Sequence, residues 1–161
     1  SLMDFPPPTV PADAPPAFVA QMEEVRKLDQ QCLDRVVQKY QVHPMVLSVI
    51  AHAEGGWAGA KIENTDGTFD LGLMQINTIH LPELANYGIT EKMLVNNECI
   101  NLGVAAWYVR RVTVNQDLSD RSAFFRSIAR YHNKQEPHIS VYAERLEKAF
   151  DKIIEQYGGQ S

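Results

Sequence analysis

The stretch from Pro44 to Glu54 constrains this chain most: an apolar helical run that ends on a carboxylic acid and is then stopped by Gly55-Gly56. Pro44, after His43, suits the first position of a helix. Leu47, Ile50 and Glu54 recur at helical spacing, so all three belong to the stripe that must face a core. A carboxyl group on that stripe is costly to ionise unless it is paired, because burial favours the neutral form. The two glycines end the helix and let the acid point into a cleft instead of packed interior. A proton held near neutral pH at a cleft edge is what a general acid requires. Taken alone, an acid on an apolar stripe reads first as a structural partner for an Arg or for backbone donors, since structural ion pairs also perturb carboxyl groups.

Composition narrows the setting. At 161 residues the chain fits one domain able to fold on its own core. Its 45% hydrophobic and 22% charged residues are ordinary for a globular protein. A net charge of −5 with dispersed basic residues gives no electrostatic case for nucleic acid. No apolar run reaches the length of a membrane span. The chain starts at Ser1-Leu2-Met3 with no secretory signal, an absence that carries little weight because a mature or recombinant fragment would lack one. Cys32 and Cys99 read either as one long-range bridge or as two unrelated buried thiols. A bridge would imply an oxidising compartment.

Residues 1–16, with Pro6-Pro7-Pro8, Pro11 and Pro15-Pro16, read as an extended arm ahead of a domain over 17–161. Helical periodicity then runs from Ala17 to Tyr40, with Val25, Leu28, Cys32, Leu33, Val36 and Val37 on one stripe. Residues 55–70 read as an irregular loop around a Thr65-Asp66-Gly67 turn, with room for a short hairpin through Phe69. Further helices are expected over Thr78–Asn86, after a Thr90 cap, over Glu98–Val114, from Ser119 or Asp120 to about Arg130, and over Ile139–Tyr157. The fold class is mainly α, with at most a small β-hairpin.

Most chemistries are missing their residues. His52-Ala53-Glu54 matches half of a zinc deaminase signature, but the paired cysteines are absent. His43, His80, His132 and His138 show no metal-ligand spacing, so neither a metal site nor a cofactor is expected. There is no nucleophile elbow, no phosphate-binding glycine fingerprint and no base beside Cys32. Acid–base chemistry by carboxylate remains.

Glu54 at its helix end, Phe69-Asp70-Leu71-Gly72-Leu73-Met74-Gln75-Ile76-Asn77, and Ala129-Arg130-Tyr131-His132-Asn133 together resemble the lytic transglycosylases of the SLT, goose-lysozyme-like family. Tyr87-Gly88-Ile89-Thr90 and Cys99-Ile100-Asn101-Leu102-Gly103 resemble the small members that accompany type III and type IV secretion and conjugation systems. The likeness covers about residues 25 to 150, and its most specific part is Gly-Leu-Met-Gln one loop after the glutamate. It implies a lysozyme-like domain with any hairpin beside the cleft, peptidoglycan glycan strands as substrate, and a periplasmic or envelope location. It also implies service to a secretion or pilus apparatus and a Cys32–Cys99 disulfide.

The resemblance makes Glu54 the single acid that protonates the glycosidic oxygen between N-acetylmuramic acid and N-acetylglucosamine. The N-acetyl oxygen then attacks the anomeric carbon, as in substrate-assisted glycosidases, and closure of a 1,6-anhydro ring follows. Met74 and Gln75 would line the groove, Tyr131 would hydrogen-bond near Glu54, and Asn77 and Tyr142 join them as substrate-binding candidates. Two positions depart from the family pattern: Gly55 stands where Ser is common, and His132 follows Tyr131 where Asn is usual. The alternatives are a lysozyme-like hydrolase, needing Asp66 or Asp70 as a second carboxylate, and a peptidoglycan-binding assembly module with impaired catalysis.

Overall fold

Several helix starts in this chain are set by capping side chains. The structure is a computed structural model describing residues 29–114, 119–132 and 135–158. Helix α1 (Gln30–Tyr40) starts where Asp29, in extended backbone, accepts a hydrogen bond from the Gln31 amide at 3.0 Å. The continuous helix expected from Ala17 is therefore broken at Asp29, because an Asp side chain satisfies free helix-start amides better than it continues a helix. Residues 1–28, with the Pro-rich arm, lie outside the described residues. Helix α2 (Pro44–Glu54) begins on His43, whose Nδ1 accepts from the Met45 amide at 3.0 Å, and ends on Gly55 at φ 63°.

The loop after α2 holds more sheet than a hairpin. Strands β1 (Lys61–Glu63), β2 (Phe69–Leu71) and β3 (Ile76–Asn77) form a three-stranded antiparallel sheet in the order β1-β2-β3. Ile62 faces Asp70 across the first pair, and Asp70 faces Asn77 across the second. The single helix expected over Thr78–Asn86 divides into a 3-10 turn (Thr78–His80) and helix α3 (Leu81–Ala85), with Pro82 in its first turn.

Helix α4 (Glu91–Asn96) is capped by Thr90, and α5 (Glu98–Thr113) by Asn97. Helix α5 is buried nearly all round, through Ile100, Leu102, Val104, Ala106, Trp107 and Tyr108, which identifies it as the central helix. Helices α1, α4 and α6 (Arg121–His132) pack on it, and α7 (His138–Gly158) packs on α6 and α2. Asp120 caps α6 by accepting from the Ala123 amide. A disulfide joins Cys32 of α1 to Cys99 at the start of α5, with Cα atoms 5.7 Å apart. The mainly α, lysozyme-like fold class holds, with a small sheet one strand larger than expected.

Candidate active site

Glu54 occupies the last position of α2, one turn beyond the buried Ile50. Its carboxylate is half-buried, with Oε1 sealed from solvent. The Tyr142 hydroxyl, delivered from α7, makes a hydrogen bond to it. Burial first, then the charge of Glu54 and the hydrogen bond to it, push the Tyr142 phenol well above its usual pKa. Arg145 on the same helix opposes this, and the negative charge of Asp70 adds to it. Tyr142 is thus a neutral donor aimed at the acid, and Asp70 lies close enough to act on the same hydroxyl.

The end of α2 is held against the segment 72–75 by a glycine. A Cβ built on Gly56 would overlap the carbonyl oxygens of Gly72 and Leu73, so only glycine permits this approach. Gly72 at φ 69° and Gln75 at φ 53° turn the segment sharply. The Gln75 side chain donates back to the Gly72 carbonyl at 2.9 Å. Asn101 on α5, 0% exposed, holds the segment from behind. It accepts from the Met74 amide at 2.8 Å and donates to the Leu71 and Leu94 carbonyls at 2.9 Å each.

Met74 and Gln75 are 3% and 6% exposed. They line a cavity of about 30 Å³ together with Ile50, Asn77, Tyr108 and Tyr142. That space suits a water molecule and is far too small for a sugar. Asn77 is fully engaged: its amide nitrogen donates to Asp70 at 3.1 Å and to Thr68 at 3.0 Å, while its oxygen accepts from the Ile79 amide. Asp66 sits at the exposed turn, where hydrogen bonds from the Thr68 hydroxyl and amide hold its carboxyl below the usual range. Of the two carboxylates weighed as a second acid, Asp70 is therefore the one the fold brings toward Glu54.

Gly55 is exposed, in left-handed backbone that suits glycine. Tyr131 falls on the last turn of α6, and its side chain, like that of His132, lies outside the described residues, as does Asn133. Among the described residues no group of three His, Cys, Asp or Glu side chains converges on a metal position, and no helix is long and apolar enough to cross a membrane. A larger groove of about 370 Å³ lies at the opposite end of α2, between Met45, Val46, Phe124 and Phe150. It is mainly apolar and lies the length of α2 from the acid, roughly 16 Å at helical rise.

Sequence reasoning read Gly56 only as part of the helix stop and Asn101 only as part of a family motif, and foresaw the packing role of neither. The available signal for Asn101 was a polar residue within an otherwise apolar helical stretch, Ile100 to Ala106. For Gly56 it was a second glycine beyond the one a helix stop needs.

Comparison with known proteins agrees with this arrangement. Residues 31–142 match the transglycosylase SLT domain. The chain is 31% identical over 128 residues to the invasion protein IagB of Salmonella typhi, covering 78% of this chain and 74% of that one. It is 33% identical over 76 residues to the protein IpgF of Shigella flexneri, covering 47% of this chain and 50% of the relative. It is 32% identical over 79 residues to the X polypeptide of Escherichia coli, covering 48% and 47%. The matched region thus spans about half the length of two of these relatives. With a family match across most of the described residues, the chain belongs to the transglycosylase SLT family, whose members are lytic transglycosylases acting on peptidoglycan.

Proposed function

We propose that this chain cleaves the β-1,4 bond between N-acetylmuramic acid and N-acetylglucosamine in peptidoglycan, with Glu54 as sole acid and base. The observation that carries this reading is the Tyr142 hydrogen bond to a half-buried Glu54 above the 72–75 segment. Protonated Glu54 gives its proton to the glycosidic oxygen as the bond from the anomeric carbon to that oxygen breaks. The N-acetyl carbonyl oxygen of the same muramic acid bonds to the anomeric carbon in its place. Glu54, now a carboxylate, takes the proton of the C6 hydroxyl. The freed oxygen attacks the anomeric carbon, the N-acetyl oxygen leaves, and a 1,6-anhydro ring forms without consuming water. Met74, Gln75 and Asn77 shape the groove beneath the sugar. Peptidoglycan as substrate places the protein in the cell envelope. One relative is named an invasion protein, and the likeness of residues 87–90 and 99–103 to the small members that accompany secretion and conjugation systems supports a role in opening the wall locally for such an apparatus.

Asp70 supports a second reading, hydrolysis, because its charge reaches the tyrosine that contacts Glu54. A carboxylate there would hold an attacking water. Mass spectrometry of muropeptides released by the wild type and by Glu54→Gln tests both readings. The expected products are 1,6-anhydro ends from the wild type, with release by Glu54→Gln reduced at least about a hundredfold. Reducing ends would establish hydrolysis, and equal release by both proteins would remove Glu54 from the chemistry. No release by either protein, with binding retained, would mark a binding module.

A further inference from the structure

The antiparallel register sets Ile62, Asp70 and Asn77 side by side across the three strands. Directly paired residues point to the same face of a sheet, so these three form one row. The opposite face carries Leu71 and Ile76, both buried in the core, and Lys61, which pairs with Glu91 of α4 at 3.1 Å. The row therefore lies on the other face of the sheet, with Asn77 at the small cavity beside Tyr142 and Ile62 exposed. Its inner end is tied to the acid: Asn77 holds Asp70 at 3.1 Å, and Asp70 acts on the Tyr142 hydroxyl that hydrogen-bonds Glu54. Its outer end is Ile62, a large apolar side chain left 41% exposed on the edge strand.

A single exposed Ile on a surface needs no explanation. This one is distinguished by its register with two polar residues that lead to the catalytic acid. Across one strand spacing, roughly 5 Å, the row offers an apolar contact and then a carboxylate. Asp70 accepts from Asn77 through Oδ1, and a carboxylate has further acceptor positions. A sugar ring presents the complementary pattern, with C–H faces beside hydroxyl and amide donors.

We propose that Ile62 is the apolar contact of an outer glycan subsite, on which an N-acetylhexosamine seats a C–H face or its N-acetyl methyl while a donor group reaches Asp70. The proposal rests on the reading of this cleft as a glycan site and extends it by a sugar position beyond the cleaved bond. Ile62 then determines preference for longer strands.

Calorimetric titration in the Glu54→Gln background tests it, with a tetrasaccharide of alternating N-acetylglucosamine and N-acetylmuramic acid and with the corresponding disaccharide. Adding Ile62→Ser should weaken tetrasaccharide binding about three- to tenfold, the effect of losing part of one aliphatic contact, and leave the disaccharide unchanged. Ile154→Ser on α7, at a similarly exposed apolar position (46%), is the control and should change neither. Melting temperatures of all variants report that the fold is kept. Undiminished tetrasaccharide binding by Ile62→Ser, or equal loss from Ile154→Ser, overturns the subsite while leaving the catalytic reading standing. Failure of the Glu54→Gln protein to bind either sugar overturns both.

Discussion

At the scale of single residues, the site depends on a tyrosine that cannot ionise and an asparagine that cannot be replaced by an apolar residue. Tyr142 is kept neutral by burial and by Glu54, so its proton is available to the carboxylate whenever Glu54 is charged. A hydrogen bond to a charged group contributes about 1.5–3 kcal/mol, which corresponds to about ten- to a hundredfold in rate. Tyr142→Phe should lower kcat for peptidoglycan clearing by up to that factor, measured at a temperature where both proteins stay folded, and the same lost bond should lower the melting temperature by several degrees. Full activity in that variant would show that the hydroxyl is not used. Asn101 satisfies three backbone groups at once in a fully buried position. Every apolar substitute leaves all three unpaired, at a cost of about 1–3 kcal/mol each. Its role is to position the segment under the acid.

At the scale of elements, the start of α5 carries a conflict with a measurable consequence. Glu98 occupies the first turn, where the helix dipole favours an anion by about 0.3–1 kcal/mol. It is only 3% exposed, and neither carboxylate oxygen has a hydrogen-bond partner among the described residues. Desolvation outweighs the dipole, and Asp29 adds like-charge repulsion, so the carboxyl is pushed up to about 7. The folded chain therefore holds a proton that the unfolded chain releases from about pH 4.5 upward. That contribution to stability is complete below the unfolded value and is lost as pH rises through about 7. The melting temperature should fall by several degrees between pH 5 and pH 8. Glu98→Gln, which keeps the shape without the charge, should flatten this slope and raise stability at pH 8. An unchanged slope in the variant would assign the pH dependence to other groups. The same helix start holds Cys99 and, one turn on, Asn101, so conditions that loosen it also loosen the wall of the cleft.

At the scale of the whole molecule, the disulfide ties α1 to the central helix across a sequence separation of 67. Closing a loop of that size contributes about 4 kcal/mol in the chain-entropy account. Reduction should therefore lower the melting temperature by roughly 10 °C for a domain of this size, read by scanning calorimetry with and without reductant. Identical melting would mean that α1 is held by packing alone. Much of this molecule was legible in its sequence because the signals are local. Helical periodicity over Pro44–Glu54 and Glu98–Thr113, Pro44 at a helix start, the caps at Thr90 and Asp120, and the Gly55 stop each depend on a few neighbouring residues, and the observed elements follow them. Periodicity misled where a cap overrode it, at Asp29, and where strands of two or three residues were too short to carry a pattern. By itself, then, the sequence determined the helices, the acid at the end of one of them and the family of the domain, because spacing and capping act within a turn or two. Tertiary structure alone decided that Gly56 closes on the 72–75 segment, that Asn101 anchors it from 27 residues away, and that the Tyr142 hydroxyl reaches Glu54. Those relations join residues far apart in the chain, and only packing around the central helix brings them within reach.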